Sequence, residues 1–516
     1  MQSSQRTRID VFRLRVKTWI GNRVLDIAES IPTFNGGFVE HLQEIRRHFR
    51  KESDEDEVNS RLPKGARLEL PRLVMLQVYP IEDVDILTSA MEKTFGKNPF
   101  ERSFDTLESV KKSEPQLWGG SQMFLGHLSP ERSGFFYPMG HRFEKHLPKH
   151  TKYIAIELYR TFPSTFVLAF TAVLSDDVGR ELTKLHSAKY LGDPEFRRWL
   201  PFGRWSYSLR YGSADHKRKD AIESYLSLLA GQLEKVIKTR FPSPRIAKKT
   251  RLPILRELRL IGGESDQLNK TKGHFRGWAN CLGLSTLDFE GFRRERVFFS
   301  FGDSCDGTSE RYSLLTKSDQ PLSAVEDQTV SYIVASLAPQ LAIRHFLYQA
   351  SQEVGRLRIK AYRRVTRSGR LIRFRSDLNL HARLQIQRFL VERLRVEREA
   401  DPFALRSLNA DLASFGHVRI SGRNLLDAFD GGLLFTEKNI SRHADLAADL
   451  FQSYVEIRNI EVSNRLSRRV LLWTIIVTVA TISASLATFD QSEVQLGKLR
   501  SAIVQRYPSL LKSRHK

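Results

Sequence analysis

The chain predicts an α+β fold: a mixed α/β cytosolic domain, then long helices and one C-terminal transmembrane helix. Three observations predict it. Residues 470–489 (VLLWTIIVTVATISASLATF) hold no charge, and twenty helical residues span about 30 Å, one bilayer core. Residues 72–79, 153–160 and 165–174 are short runs rich in β-branched and aromatic side chains, bounded by turn residues. From about residue 328 onward, helical spacing carries to the membrane segment.

Residues 1 to about 50 read as helix and close in an acidic run at 52–57 (ESDEDE). The run RLVMLQVY at 72–79 is a strand stopped by Pro80. YIAIELYR and TFVLAFTAVL flank Pro163 and Ser164 and predict a buried hairpin. The second of these runs is only ten residues long, too short to cross a bilayer as a helix. Ile222, Leu226, Leu229, Leu233, Val236 and Ile237 share a helix face that ends before Pro242. A Pro- and Lys-rich stretch (FPSPRIAKKTRLP) reads as a connection. RVFFSF at 296–301 and RYSLL at 311–315 predict two more strands. The resulting division is a mixed α/β domain at 1–325, a helical region with a stalk at 326–469, the span at 470–489, and a basic amphipathic tail at 490–516.

One heptad register, four then three from Leu446, runs from the stalk into the span. Its stalk members include Leu450, Ile457, Ile460 and Asn464; its span members include Thr474, Thr478, Thr481, Ser485 and Thr488. Five of the six Ser/Thr in the span therefore lie on one stripe, as a bundle of identical helices would need. Two readings remain open. The stripe lines a conducting path, or it only lets helices pack closely beside Ala480, Ala484 and Ala487. Asn464, a polar residue at a core position of the stalk, would fix register and subunit number.

The formal charge of +23 favours an anionic partner, nucleic acid or the anionic cytoplasmic leaflet. The charge is densest at 356–375, where nine of twenty residues are basic and none is acidic: Arg356, Arg358, Lys360, Arg363, Arg364, Arg367, Arg370, Arg373 and Arg375. Tyr362 and Phe374 interleave with them, so phosphate contact with base stacking, lipid contact and pairing between subunits all stay open. Arg458, Arg465, Arg468 and Arg469 precede the span, as the positive-inside tendency asks. The expectation is a single-pass protein with its large N-terminal part in the cytoplasm. The tail, with Leu496, Leu499 and Ile503 on one face and Lys498, Arg500 and Arg506 among them, suits a membrane surface.

Two cysteines, Cys281 and Cys305, give no disulfide framework and no metal knuckle. His141, His146 and His150, with Glu144 among them, hold the residue types of a zinc or iron site, but Pro148 separates the last two and no HExxH is present. No metal and no cofactor are therefore expected. The turn GDSCDG at 302–307 places Cys305 between acidic neighbours, which favours a polar hairpin over a nucleophile. GxSxG, P-loop and GxGxxG motifs are absent from the sequence. The chain thus leans away from an enzyme, although a pocket assembled from distant positions in 72–320 stays open. In outline, a cytosolic α/β domain followed by a long stalk helix and a span resembles the CorA-type magnesium channels. That family has Gly-Met-Asn at the end of its first span and then a second span. Here the span ends Leu-Ala-Thr-Phe-Asp with no second span, so the resemblance implies architecture and carries over no site residue.

Overall fold

The computed structural model describes residues 61–96, 121–131, 140–190, 193–199, 206–212, 214–244, 251–263, 277–284, 289–292, 296–301, 311–318, 320–366, 374–400, 410–417 and 422–506. The expectations for the N-terminal helix, the acidic run at 52–57 and the 302–307 turn lie outside them.

The strands are β1 (Arg67–Pro80), β2 (Ser121–Ser129), β3 (Gly140–Phe143), β4 (Thr151–Phe162), β5 (Thr165–Leu174), β6 (Asp193–Trp199), β7 (Ser206–Gly212), β8 (Ile254–Ile261), β9 (Phe289–Phe292), β10 (Arg296–Ser300), β11 (Arg311–Ser318) and β12 (Phe415–His417). The helices are α1 (Val84–Phe95), α2 (Asp176–Ser187), α3 (Ala214–Arg240), α4 (Trp278–Cys281), α5 (Ala324–Thr366), α6 (Phe374–Ala400), α7 (Ala410–Ala413) and α8 (Leu425–Arg506). The α+β class followed by long helices is as the sequence predicts.

Ten strands form one mixed sheet in the order β12-β9-β10-β11-β8-β1-β5-β4-β2-β3, and β6 with β7 forms a separate hairpin. β8 runs parallel to β11 and antiparallel to β1. The predicted hairpin is β4–β5, turning at Pro163 and Ser164. β1 lies centrally between β5 and β8, and its last eight residues are all buried. Burial on both faces follows from helices on both sides. Leu73, Met75 and Tyr79 join a core with α1, α2 and α3 through Leu87, Leu182, Leu229 and Leu233. Leu76 and Val78, of opposite parity, face Ala342 and Phe346 of α5. Each fully buried Leu or Phe in these layers contributes about 1.5–3 kcal/mol.

Helix α2 begins with Asp176 and Asp177 and carries Lys184 in its last turn, complementing the helix dipole at both ends. It reaches β1 at Gly179, where an added Cβ would lie 2.7 Å from the Leu68 carbonyl oxygen and 3.0 Å from Glu69 Cα. Beside it, the Leu68 N–H donates to Thr183 Oγ1 at 2.9 Å. Only glycine lets the two backbones come this close.

Contacts divide the chain into two units: residues 1–353 with 386–441, and residues 354–385 with 442–516. The first holds the sheet, the helices on both its faces and the docked part of α6. There Arg393 grips Glu82 through both nitrogens at 2.5 and 3.1 Å, and Arg398 pairs with Glu437 of α8 at 2.5 Å. The Ser164 hydroxyl donates to Glu397 at 2.6 Å. The second unit holds the end of α5, the start of α6 and most of α8.

Candidate functional site

Helix α8 is 82 residues long, about 120 Å at the standard rise. Among the described residues it contains a stretch, residues 459–503, long and apolar enough to cross a membrane; the most apolar part of it has mean hydropathy 2.1 and is not buried. The 470–489 run lies inside it, and Leu471, Trp473, Ile476, Val479 and Leu486 are all exposed. Apolar side chains in such density, left uncovered, are unfavourable in water.

The hydroxyl stripe turns inward on its own backbone. Thr474 donates to the Val470 carbonyl at 2.8 Å, Thr478 to Thr474 at 2.7 Å and Thr481 to Val477 at 2.8 Å. Thr488 donates to Ala484 at 3.0 Å and Ser485 at 2.8 Å. Each hydroxyl is thereby satisfied within the helix, which is how Ser and Thr are accommodated in membrane segments. Ser485 is exposed on the same stripe.

Along the stalk, Leu450 is half-buried, Ile460 is 61% exposed and Asn464 is exposed; the Ile457 side chain lies outside the described set. Val462 and Leu466, off the stripe, are exposed as well. The stalk therefore presents uncovered apolar side chains on more than one face before it reaches the membrane segment.

The basic segment starts on the last turns of α5. Arg356, Lys360 and Arg363 are exposed, and their spacing of four and three residues puts them on one helix face. Exposed Ile359 and Tyr362 flank them. The opposite side of the helix carries buried Val354 and Leu357 and turns Arg358 towards α8, where it meets His443 Nδ1 at 2.8 Å. Arg358 thus differs from its neighbours in facing α8. The Arg364, Arg367, Arg370, Arg373 and Arg375 side chains lie outside the described residues. The second unit contains 21 Lys/Arg and 7 Asp/Glu, a net +14 out of the chain's +23.

In the first unit, two clusters of charge are built into the sheet. On one face, fully buried Glu257 of β8 pairs with Arg72 at 3.0 Å and Arg259 at 2.6 Å, and both arginines reach Asp327 in the first turn of α5. The carboxylates hold the Arg259 guanidinium above its ordinary pKa against the opposing effect of burial. On the other face, Arg256 pairs with Glu223 of α3 at 3.0 Å, and Arg311 of β11 binds the same carboxylate. These pairs tie α5 and α3 to the sheet. Removing one partner of such a buried pair costs about 3–5 kcal/mol.

Between β1 and α5, a cavity of ≈ 20 Å³, room for one water, is lined by Gln77, Arg251, His345 and Gln349 among others. Burial pushes His345 down to about 4. His186, fully buried with Nε2 against the Trp278 carbonyl at 2.9 Å, is likewise pushed down to about 4 by burial. Burial pushes the Cys281 thiol up to about 12, so it is no nucleophile at neutral pH.

His146 is exposed and half-buried His150 lies 3.7 Å from Asp177; the His141 side chain is outside the described set. Glu144, beside them in sequence, is committed to Arg240 at 2.6 Å. Among the described residues no group of three or more His, Cys, Asp or Glu is placed to hold a metal ion.

No family model matches the chain, and no curated protein matches it. What the fold and the surface define is therefore a class: an α+β protein with, among the described residues, one exposed helix of membrane-spanning length and a strongly basic helical segment beside that helix. Sequence reasoning missed the Arg358–His443 contact and the two charge clusters. The one signal for the clusters was the presence of Arg256, Glu257 and Arg259 within the otherwise apolar run ILRELRLI, charges that reach solvent in an isolated strand.

Proposed function

We propose that this protein is a membrane-anchored homo-oligomer. Its α/β domain, on the cytosolic side, senses a ligand or partner, and α8 serves as both stalk and span. The observation that carries this reading is the single heptad register that joins Leu450 and Ile460 of the stalk, Ile460 being 61% exposed, to the hydroxyl stripe of the span. A stalk that only held a domain to the membrane would have no need of uncovered apolar positions in a heptad repeat, whereas neighbouring copies bury them. The absence of charge over 470–489 and the arginines preceding it support the membrane and the orientation.

In-membrane cysteine crosslinking tests it, with Cys281 and Cys305 replaced by Ala. Single cysteines at Ile460 and Thr481 sit on the stripe; those at Val462 and Ile476 sit off it. Strong crosslinks at the first two and weak ones at the second two are expected. Equal or absent crosslinking at all four removes the oligomer and leaves a monomeric anchor. Flux through the bundle is a separate question. Thr478→Leu with Thr481→Leu keeps insertion, and loss of ion flux in that variant assigns the stripe a conducting role, while unchanged flux limits it to packing.

A further inference from the structure

The two borders of the membrane segment differ in charge. Arg465, Arg468 and Arg469 lie within five residues of Val470, where the uncharged run begins, and so within about 8 Å of the hydrocarbon edge along the helix. A headgroup layer is about 5–8 Å deep, so all three belong to it. Glu461, the nearest acidic residue on that side, is nine residues from Val470, about 13 Å. At the other border the order is reversed. Asp490 and Glu493 follow Phe489 directly, and the basic residues start with Lys498, nine residues on and about 13 Å past the edge. One headgroup layer thus meets three positive charges, and the other meets two negative ones.

All three arginines are exposed, and among the described residues none of their side chains has an ion pair or hydrogen-bond partner. They occupy positions b, e and f of the heptad whose a and d positions form the hydroxyl stripe. In a bundle closed on that stripe they therefore face outward, towards the surrounding lipid. Leu472 and Trp473, at the next b and c positions, are 60% and 66% exposed and carry the same face past the hydrocarbon edge. The guanidinium fork binds phosphate oxygens in pairs, and the phosphates of the lipid itself lie at this depth. Below them, an acyl chain meets Leu472 and an indole ring, the aromatic residue favoured at a membrane border. A soluble polyanion or an acidic protein would have to enter the headgroup layer to reach Arg468 and Arg469.

We propose that Arg465, Arg468 and Arg469, with Leu472 and Trp473 below them, form a site for an anionic phospholipid of the leaflet at the N-terminal border of the span. This site rests on the reading of α8 as a membrane span. The test uses the full chain in phosphatidylcholine nanodiscs holding about 10 mol% of a lipid brominated on its acyl chain, either phosphatidylglycerol or phosphatidylcholine. Bromine quenches only indoles close to it. The chain has six tryptophans, so the Trp473 signal is the difference between each protein and its Trp473→Phe counterpart. Each basic residue at the surface enriches anionic lipid by about fivefold at low occupancy, so brominated phosphatidylglycerol should quench Trp473 at least about threefold more than brominated phosphatidylcholine. Arg465→Gln/Arg468→Gln/Arg469→Gln should remove that difference and leave quenching by the neutral lipid in place, the sign that the variant is still inserted. Lys498→Gln/Arg500→Gln, beyond the other border, should leave the difference unchanged. Equal quenching by the two lipids, a difference that survives in the triple arginine variant, or an equal loss in the Lys498 and Arg500 variant overturns the proposal, while quenching by the neutral lipid keeps the membrane reading standing. Absence of quenching by either lipid overturns the membrane reading, and the site with it.

Discussion

Two lysines placed at Ile476 and Val479 should expel helix α8 from the membrane. Both positions lie on the side of the helix away from the hydroxyl stripe, and both are exposed at 46% and 56%. The uncharged run holds ten Val, Leu, Ile or Phe residues, each favouring insertion by about 0.3–0.6 kcal/mol, or roughly 3–6 kcal/mol together. One lysine near the centre costs about 2.5–3.5 kcal/mol, and the apolar residue it replaces is lost as well. Val479→Lys alone therefore brings insertion close to balance. The pair shifts it by roughly 6–8 kcal/mol and reverses its sign. The assay is alkaline carbonate extraction of isolated membranes: the parent stays in the pellet, the single variant divides, and the double variant moves to the supernatant. A double variant that stays fully in the pellet would refute the reasoning, because it would mean that something other than lipid surrounds this face. Among the described residues no side chain of the same chain buries that stretch.

Two further predictions concern the α/β domain. Gly179→Ala forces α2 away from the Leu68 carbonyl and should destabilise the domain by about 1–3 kcal/mol, seen as a lower thermal midpoint in detergent; an unchanged midpoint would mean that the approach is looser than 2.7 Å. His186 and His345 are both buried with pKa values pushed down to about 4 from an ordinary 6.5. The unfolded chain binds protons that the folded chain refuses, so their stabilisation is complete above about pH 6.5. It declines as pH falls towards about 4, by roughly 3 kcal/mol for each histidine over that window. Replacing both with Gln should flatten the pH dependence of the thermal midpoint between 6.5 and 4, and an undiminished slope would contradict their burial.

How much of this was legible in the sequence depended on where polar residues sit. β5 and the membrane segment were readable because their apolar runs hold no charge, and α3 because its apolar residues keep helical spacing between the charges. β8 was not, since ILRELRLI carries three charges within a strand buried from Leu255 onward, and a single sequence does not say that Glu223, Arg72 and Asp327 arrive from elsewhere to neutralise them. β12 was hidden for another reason. Three residues between helices acquire strand character only by pairing with β9, and Gly291 makes room there for the Phe415 ring. For the candidate site, the density of arginine was plain from the sequence, but its height along the stalk was not. That needed the contact of Arg358 with His443, two residues 85 positions apart.

The threonines of the membrane stripe have each given their only hydrogen to a carbonyl one turn back. What remains on their outward side is lone pairs. Two copies brought together at these four threonines meet acceptor to acceptor, with no threonine hydrogen left to lend. A seam of this kind closes by fit between small side chains alone, or it admits a guest that brings positive charge or hydrogens of its own: a bare cation, a file of water, an ammonium group. A visitor carrying only negative charge finds nothing there to hold it.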